Sequence, residues 1–350
     1  MRSSFSEHMV NSGRQSPFIV AEMSGNHNQS LECALAIVDA AADAGAHAIK
    51  LQTYTAETMT VALDHGEFFI SDPESLWAGQ SMHDLYRKAY TPWGWHAPIM
   101  ERARQRGLIC FSSPFDESAI DFLETLNVPA YKIASFECVD LPLIRKAAST
   151  GKPLIISTGM ASIAEIAEAV DSARASGCKD LTLLKCTSSY PASPENANLK
   201  TISHMRDLFG CEVGLSDHTM GIGVAILAIA YGATIIEKHF TLSRAGGGVD
   251  SAFSLEPQEL AALVSESNRA WQAIGEIHYG PTAAELKAVL RRRSLYISKD
   301  IKAGDILTKD NLRRIRPGYG LAPKYYEIML GRRVKSSEKA GTPLSWELID

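Results

Sequence analysis

Val213-Gly214-Leu215-Ser216-Asp217-His218 and, beyond the helical stretch 220–232, Ile235-Ile236-Glu237-Lys238-His239-Phe240 are built on one pattern. Each is a short apolar run that turns polar and reaches a histidine. Runs of this length, separated by a helix, read as buried parallel strands with a crossover between them. In a parallel barrel that order brings two neighbouring imidazoles to the carboxyl-end rim, where such barrels do their chemistry. Two imidazoles with carboxylates nearby suit Mn²⁺, Fe²⁺ or Zn²⁺ better than Ca²⁺. Spacing alone leaves open the plainer alternative, two unrelated polar residues at strand ends.

The same alternation extends back through the chain. Phe18-Ile19-Val20-Ala21, Ala48-Ile49-Lys50-Leu51, Leu108-Ile109-Cys110-Phe111 and Ala130-Tyr131-Lys132-Ile133 are the first four runs. Leu154-Ile155-Ile156-Ser157, Leu181-Thr182-Leu183-Leu184, Glu212-Val213-Gly214-Leu215 and Thr234-Ile235-Ile236-Glu237 complete a set of eight. Between them lie helical patterns with their own punctuation. Leu31, Leu35, Val38 and Ala42 recur at helical spacing behind Ser30, a candidate N-cap, and Gly45 follows the end. Ser162 and Glu165 form a capping-box pattern over 162–176. The expected fold class is α/β, a (β/α)₈ TIM barrel over residues 18–280. A doubly wound open sheet is the runner-up, and no G-x-G-x-x-G follows the first run to support it.

One connection, 53–107, is far longer than the others and carries Trp77, Tyr86, Tyr90, Trp93 and Trp95. It reads equally as a lid or interface arm and as a helix that covers the barrel end. After a linker over 281–292 the character changes. Ile301-Lys302-Ala303-Gly304-Asp305-Ile306-Leu307 is echoed by Glu338-Lys339-Ala340-Gly341-Thr342-Pro343-Leu344, so residues 293–350 are expected to form a small pseudo-two-fold β-rich module. Residues 1–17 read as a polar amino-terminal extension.

Bulk composition narrows the function classes. With 45% hydrophobic and 21% charged residues the chain reads as a soluble globular protein. A net charge of −5 offers no basic face for nucleic acid. No apolar run approaches a membrane span, and 1–16 lacks the apolar stretch of a signal peptide. The six cysteines have no C-x-x-C spacing, which points to reduced thiols in a cytoplasmic protein. Cys186, next to a strand end, is a minor candidate nucleophile.

The run ends carry the chemistry. Glu22 and Ser24 close the first, Lys50 and Gln52 the second, Ser112 and Ser113 the third. Lys132, Ser135 and Glu137 follow the fourth, Ser157 the fifth, Lys185 to Tyr190 the sixth, and Ser216 to His218 the seventh. Serine hydroxyls and lysines around one mouth make an anion site, so a phosphate or carboxylate substrate is expected. Glu22 and Glu137 are candidate acid–base groups. A metal at His218 and His239 would polarise a carbonyl or activate water. A Schiff-base aldolase using Lys132 or Lys185 is a different class of answer, and a non-catalytic sugar-binding barrel is a third.

Together, Ala21-Glu22 with Asn26-His27-Asn28, Lys50-Leu51-Gln52-Thr53-Tyr54, Lys132-Ile133-Ala134-Ser135, Ser157-Thr158-Gly159-Met160, Gly214-Leu215-Ser216-Asp217-His218 and Glu237-Lys238-His239-Phe240 resemble the sialic acid synthase family. The likeness is collinear over 18–350, and the tail, with Arg316-Pro317-Gly318-Tyr319-Gly320, resembles that family's SAF (antifreeze-like) domain. Gln52-Thr53-Tyr54-Thr55, Tyr90-Thr91-Pro92-Trp93, Ser113-Pro114-Phe115-Asp116 and Asp250-Ser251-Ala252-Phe253-Ser254-Leu255 point to the branch that uses 2,4-diacetamido-2,4,6-trideoxy-L-altrose. Branches that take an N-acetylmannosamine-type sugar are the alternative.

The resemblance implies condensation of phosphoenolpyruvate with the open-chain aldehyde of an acetamido-deoxyhexose, with water added at carbon 2 and phosphate lost by C–O cleavage. It implies a divalent metal, Mn²⁺ first and Mg²⁺ or Co²⁺ after it, at His218 and His239. By position, Lys50, Lys132, Ser135, Ser157 and Ser216 would hold phosphoenolpyruvate, and Glu22, Glu137 and Lys132 would be catalytic. Gln52, Tyr190 and Asp250 would face the sugar, and Arg316 would reach a partner's barrel in a domain-swapped homodimer. The chain departs from the family's pattern at Ser188, where the sialic acid members carry Asn, and at Val249, where proline is usual.

Overall fold

In the computed structural model, which describes residues 16–350, the eight runs become eight parallel strands closed into one barrel. They are β1 (Phe18–Glu22), β2 (Ala48–Thr53), β3 (Ile109–Pro114), β4 (Tyr131–Ile133), β5 (Leu154–Ser157), β6 (Leu181–Cys186), β7 (Glu212–Asp217) and β8 (Ile235–His239). β1 pairs with both β2 and β8, which closes the ring. The TIM-barrel expectation is met. Several strands continue one to three residues past the apolar run that announced them, and the inward-facing polar side chains among those added line the barrel mouth.

Side chains alternate between the inside of the barrel and the helix layer, as a period of two requires. Phe18, Val20, Ala48, Phe111, Ala130, Ile155, Leu184 and Ile235 form one buried cluster inside the ring. The outward set (Ile19, Ala21, Ile49, Tyr131, Ile133, Ile156, Leu183, Leu215, Ile236) packs with the helices in the larger cluster. Gly214 has no substitute here, because a Cβ would stand 2.7 Å from the Leu184 side chain and press on the β8 backbone.

The helices start where their caps lie. Ser30 accepts the Cys33 N–H ahead of the helix Leu31–Asp43, and Ser162 and Glu165 cap the helix Ile163–Ala175 reciprocally. The long connection divides in two. Its last part, the helix Trp93–Gln105, is an ordinary member of the outer layer with Ile99 and Ala103 fully buried. Before it, the short helices Ala56–Met59 and Met82–Ala89 belong to a true insertion. No helix among the described residues is long and apolar enough to cross a membrane.

The chain divides after Gly275 into two compact units. The second, Glu276–Asp350, takes in the 281–292 segment, which forms the short helices Ala283–Glu285 and Leu286–Val289. Its antiparallel pair is β9 (Ser294–Ile297) with β10 (Leu312–Ile315), over a core of Leu295, Ile297, Leu307, Leu312, Val334 and Leu344. The two Lys-Ala-Gly repeats lie against each other: Ile301 and Glu338 exchange both backbone hydrogen bonds at 2.9 Å. Of the amino-terminal extension, residues 1–15 lie outside the described residues.

Candidate active site

Inside the ring the side chains change from apolar to charged toward the carboxyl ends. Two residues above Val20, Ala48, Ala130 and Ile235 come Glu22, Lys50, Lys132 and Glu237, all at most 4% exposed. Lys50 Nζ lies 2.5 Å from Glu22 Oε2 and 3.8 Å from Glu237 Oε1, and it donates to Ser113 Oγ at 3.2 Å. Lys132 Nζ stands 3.7 Å from the same Glu237 oxygen. Glu237 also accepts from Ser216 Oγ at 3.1 Å, and Glu22 accepts from Gln52 Nε2 at 2.9 Å.

Burial sets the proton affinities of these groups. It pushes the Glu22 carboxyl up to about 7, against the pull of Lys50 and with help from Glu237. Glu137, just beyond β4, is also lifted to about 7 by burial, and its Oε2 has no hydrogen-bond partner. Burial lowers Lys132 despite Glu237. Burial works against Lys50 as well, but Glu22 and Glu237 outweigh it and hold that ammonium above its ordinary value. Glu237 is held low because Lys132 and Lys50 overcome its burial.

The serines complete a cradle. Ser157 Oγ is buried without a partner, a donor and acceptor left for a ligand. Ser135 Oγ accepts the Gly159 N–H at 3.2 Å. A Cβ on residue 159 would come within 2.9 Å of that hydroxyl, so glycine keeps the approach open.

Beside the cradle the His218 and His239 rings lie 5.2 Å apart, centroid to centroid. His218 Nδ1 donates to the Thr187 carbonyl at 3.0 Å, which puts the lone pair on Nε2 whenever the ring is neutral. Burial opposes its charge, but Cys186 and that carbonyl outweigh burial and raise this imidazole above its ordinary value. His239 is held well below its ordinary value by burial and by His218, so it stays a neutral ligand-type imidazole. Its Nδ1 has no hydrogen-bond partner and stands 3.6 Å from Asp250 Oδ2. No cluster of three or more His, Cys, Asp or Glu side chains arranged for a metal occurs among the described residues. What the two rings offer is nitrogen donors of the kind a divalent transition cation takes, Nε2 of His218 and the unpartnered Nδ1 of His239.

An aromatic wall stands over the imidazoles. Tyr190 lies 4.5 Å from the His218 ring and 5.4 Å from Phe253, and Phe253 meets His239 at 4.9 Å. From the insertion, Trp77 comes to 5.8 Å from Tyr190 and donates its indole N–H to the Val249 carbonyl at 3.0 Å. Asp250 accepts from Ser24 Oγ, and burial raises its carboxyl.

The structure thus brings together Glu22, Lys50, Gln52, Lys132, Ser157, Ser216, His218, His239 and Asp250, with Ser135, Glu137 and Tyr190 on the adjoining loops. Arg316 follows β10 in the second unit, where it is exposed. Lys185 is not part of the cluster, because its ammonium is spent on the Cys186 carbonyl (2.7 Å) and the Thr187 hydroxyl. Cys186 itself faces the mouth: burial works to raise its thiol, but His218, 3.8 Å away, draws it down to about 7.

Sequence reasoning gave no site role to Glu237 or Phe253, and it named Ser113 only as a run-end residue and Trp77 only as part of the long connection. Glu237 was readable, since it lies two residues before His239 and so shares its face. The aromatic pair had no such signal.

Comparison with known proteins agrees with this architecture. Residues 37–279 match the NeuB family, and residues 292–350 match the SAF domain. The pseudaminic acid synthase of Helicobacter pylori is 44% identical over 338 residues, covering 96% of this chain and 98% of that protein. The pseudaminic acid synthase of Campylobacter jejuni is 42% identical, covering 93% and 95%. Among solved structures, the N-acetylneuraminic acid synthetase of Leptospira borgpetersenii, in complex with citrate, is 35% identical with a TM-score of 0.70. That match spans 79% of this chain and 91% of the other.

Proposed function

The chain belongs to the NeuB family, and on that premise we propose that it condenses phosphoenolpyruvate with 2,4-diacetamido-2,4,6-trideoxy-L-altrose and water to give pseudaminic acid and phosphate. The observation that carries the reading is the mouth itself. Two buried ammonium groups and an unpartnered serine hydroxyl stand beside two imidazoles, in a chain whose Helicobacter and Campylobacter relatives are pseudaminic acid synthases.

Lys50 and Lys132 supply the charge that holds a phosphate and a carboxylate, and the hydroxyls of Ser135, Ser157 and Ser216 direct it. Carbon 3 of phosphoenolpyruvate adds to the sugar aldehyde, whose oxygen gains a proton. Water adds at carbon 2 and loses one, and the C–O bond to phosphate then breaks. One group must give a proton and another must take one. Glu22 and Glu137, both lifted to about 7, exist in either form near neutrality and suit that exchange.

Gln52, Tyr190 and Asp250 face the sugar in this reading. A divalent cation, Mn²⁺ first, would be held by His218 and His239 and would act there as a Lewis acid on the aldehyde. The resemblance further implies a homodimer, a sugar contact from Arg316 and the cytoplasm as the working compartment.

The test is phosphate release from phosphoenolpyruvate with Mn²⁺ across a panel of acetamido sugars, with mass spectrometry of the product. Turnover confined to the diacetamido-trideoxy-altrose is the expected result. Turnover with N-acetylmannosamine or its diacetamido analogue instead moves the chain to a sister activity. Borohydride trapping on a lysine with indifference to chelators would replace the reading with a Schiff-base aldolase.

A further inference from the structure

Asp217 and Lys238 are the residues adjoining the two imidazoles in sequence, and they face the other way. By strand alternation they leave the mouth to Ser216, His218, Glu237 and His239 and point into the helix layer. They are direct register partners across β7 and β8. Lys238 is 1% exposed and Asp217 4%.

Every donor of the Lys238 ammonium is used. One goes to Asp217 Oδ2 at 3.0 Å, one to the Thr219 carbonyl at 2.5 Å and one to the Gly221 carbonyl at 2.9 Å. The other Asp217 oxygen accepts the Thr219 N–H at 2.9 Å. His218 is therefore gripped through the residues on both sides of it, and the group that grips them precedes His239. Nothing else in the chemistry requires a lysine there, since the pair neither reaches the mouth nor meets substrate. An apolar pair would fill the same space without the desolvation of two charges.

We infer that Lys238, with Asp217, is a positioning residue: a clip outside the barrel wall that fixes the spacing and orientation of the two imidazoles inside it. This inference rests on the reading of His218 and His239 as the metal-holding pair. A clip of this kind tunes affinity for the cation through its ligands, in the way partners behind first ligands commonly shift it by about 10- to 100-fold. Its effect on the phosphoenolpyruvate cradle is smaller, because Lys50, Lys132 and Ser157 sit on other strands and only Ser216, with its partner Glu237, shares β7 and β8 with the clip.

The experiment compares wild type with Lys238→Met and with the double variant Asp217→Asn/Lys238→Met, in which no unpaired charge is left buried. Free Mn²⁺ is followed by electron paramagnetic resonance to give its Kd, and the KM for phosphoenolpyruvate is taken at saturating Mn²⁺. Metal-free imidazole ¹⁵N spectra report the tautomers. The expected result is a Kd for Mn²⁺ raised about 10- to 100-fold in the folded double variant. With it go a KM for phosphoenolpyruvate that rises far less than the Kd for Mn²⁺ and a His218 ring that loses its single Nδ1–H tautomer. A folded double variant with wild-type Mn²⁺ affinity and wild-type imidazole spectra overturns the clip alone. A wild-type protein without Mn²⁺ affinity overturns the metal reading and the clip together.

Discussion

Acidification should loosen this protein through two histidines that take no part in the proposed chemistry. His27 and His96 are both fully buried where the insertion meets the barrel. His96 Nε2 meets Thr53 Oγ1 at 2.8 Å, Thr53 meets Ser112 Oγ at 2.6 Å, and His27 Nε2 meets Thr91 Oγ1 at 3.1 Å. Burial lowers each ring from 6.5 to about 4. The neutral form is therefore the folded form. The stabilisation is complete above the unfolded value of 6.5 and is lost as pH falls from there through about 4. A depression of that size is worth about 3 kcal/mol per ring at full protonation, from 1.36 kcal/mol per pH unit, and about 2 kcal/mol of it is gone by pH 5. Urea unfolding at pH 7.5 and pH 5 of wild type and of His96→Gln, whose amide can still meet Thr53, isolates the His96 share. Wild type should lose about 2 kcal/mol more than the variant between the two pH values. Parallel losses in the two proteins would refute the assignment of a neutral, buried His96.

Three further outcomes are expected at the mouth and beyond it. His218→Ala and His239→Ala should each abolish metal-dependent phosphate release while circular dichroism stays that of wild type; full activity in either variant removes the metal assignment. Glu137→Gln should cut turnover by about 100-fold or more and erase an ionisation near pH 7 from the rate profile, since wild-type Glu137 is protonated below that value and ionised above it. Arg316→Ala should raise the KM for sugar more than the KM for phosphoenolpyruvate, and equal effects on both would take Arg316 out of the sugar site.

The barrel was legible because its strands are short and buried on both faces, so β1 to β8 announce themselves as apolar runs. Their ends were less legible. β2, β6 and β7 each continue two residues past their runs, because polar side chains at the mouth answer to the site rather than to the core. The same cause explains the Lys185 misplacement. Two lysines two strands apart, on β4 and β6, look alike in composition, yet Lys132 faces inward and Lys185 is bound to its own strand end. Glu237 lay within reach of the period-two rule. Trp77 did not, since an insertion more than a hundred residues from Val249 in sequence carries no local sign of the carbonyl its indole will meet.

The interleaving of core and mouth residues also governs how such an activity can change hands over time. Each strand contributes one or two reacting side chains, set directly above the apolar ones that close the ring. No short contiguous fragment of the gene therefore carries the site, and a crossover within the barrel would divide it. Specificity can change on the loops that carry Trp77, Tyr190, Asp250 and Phe253 while the charged ring at the strand ends stays as it is.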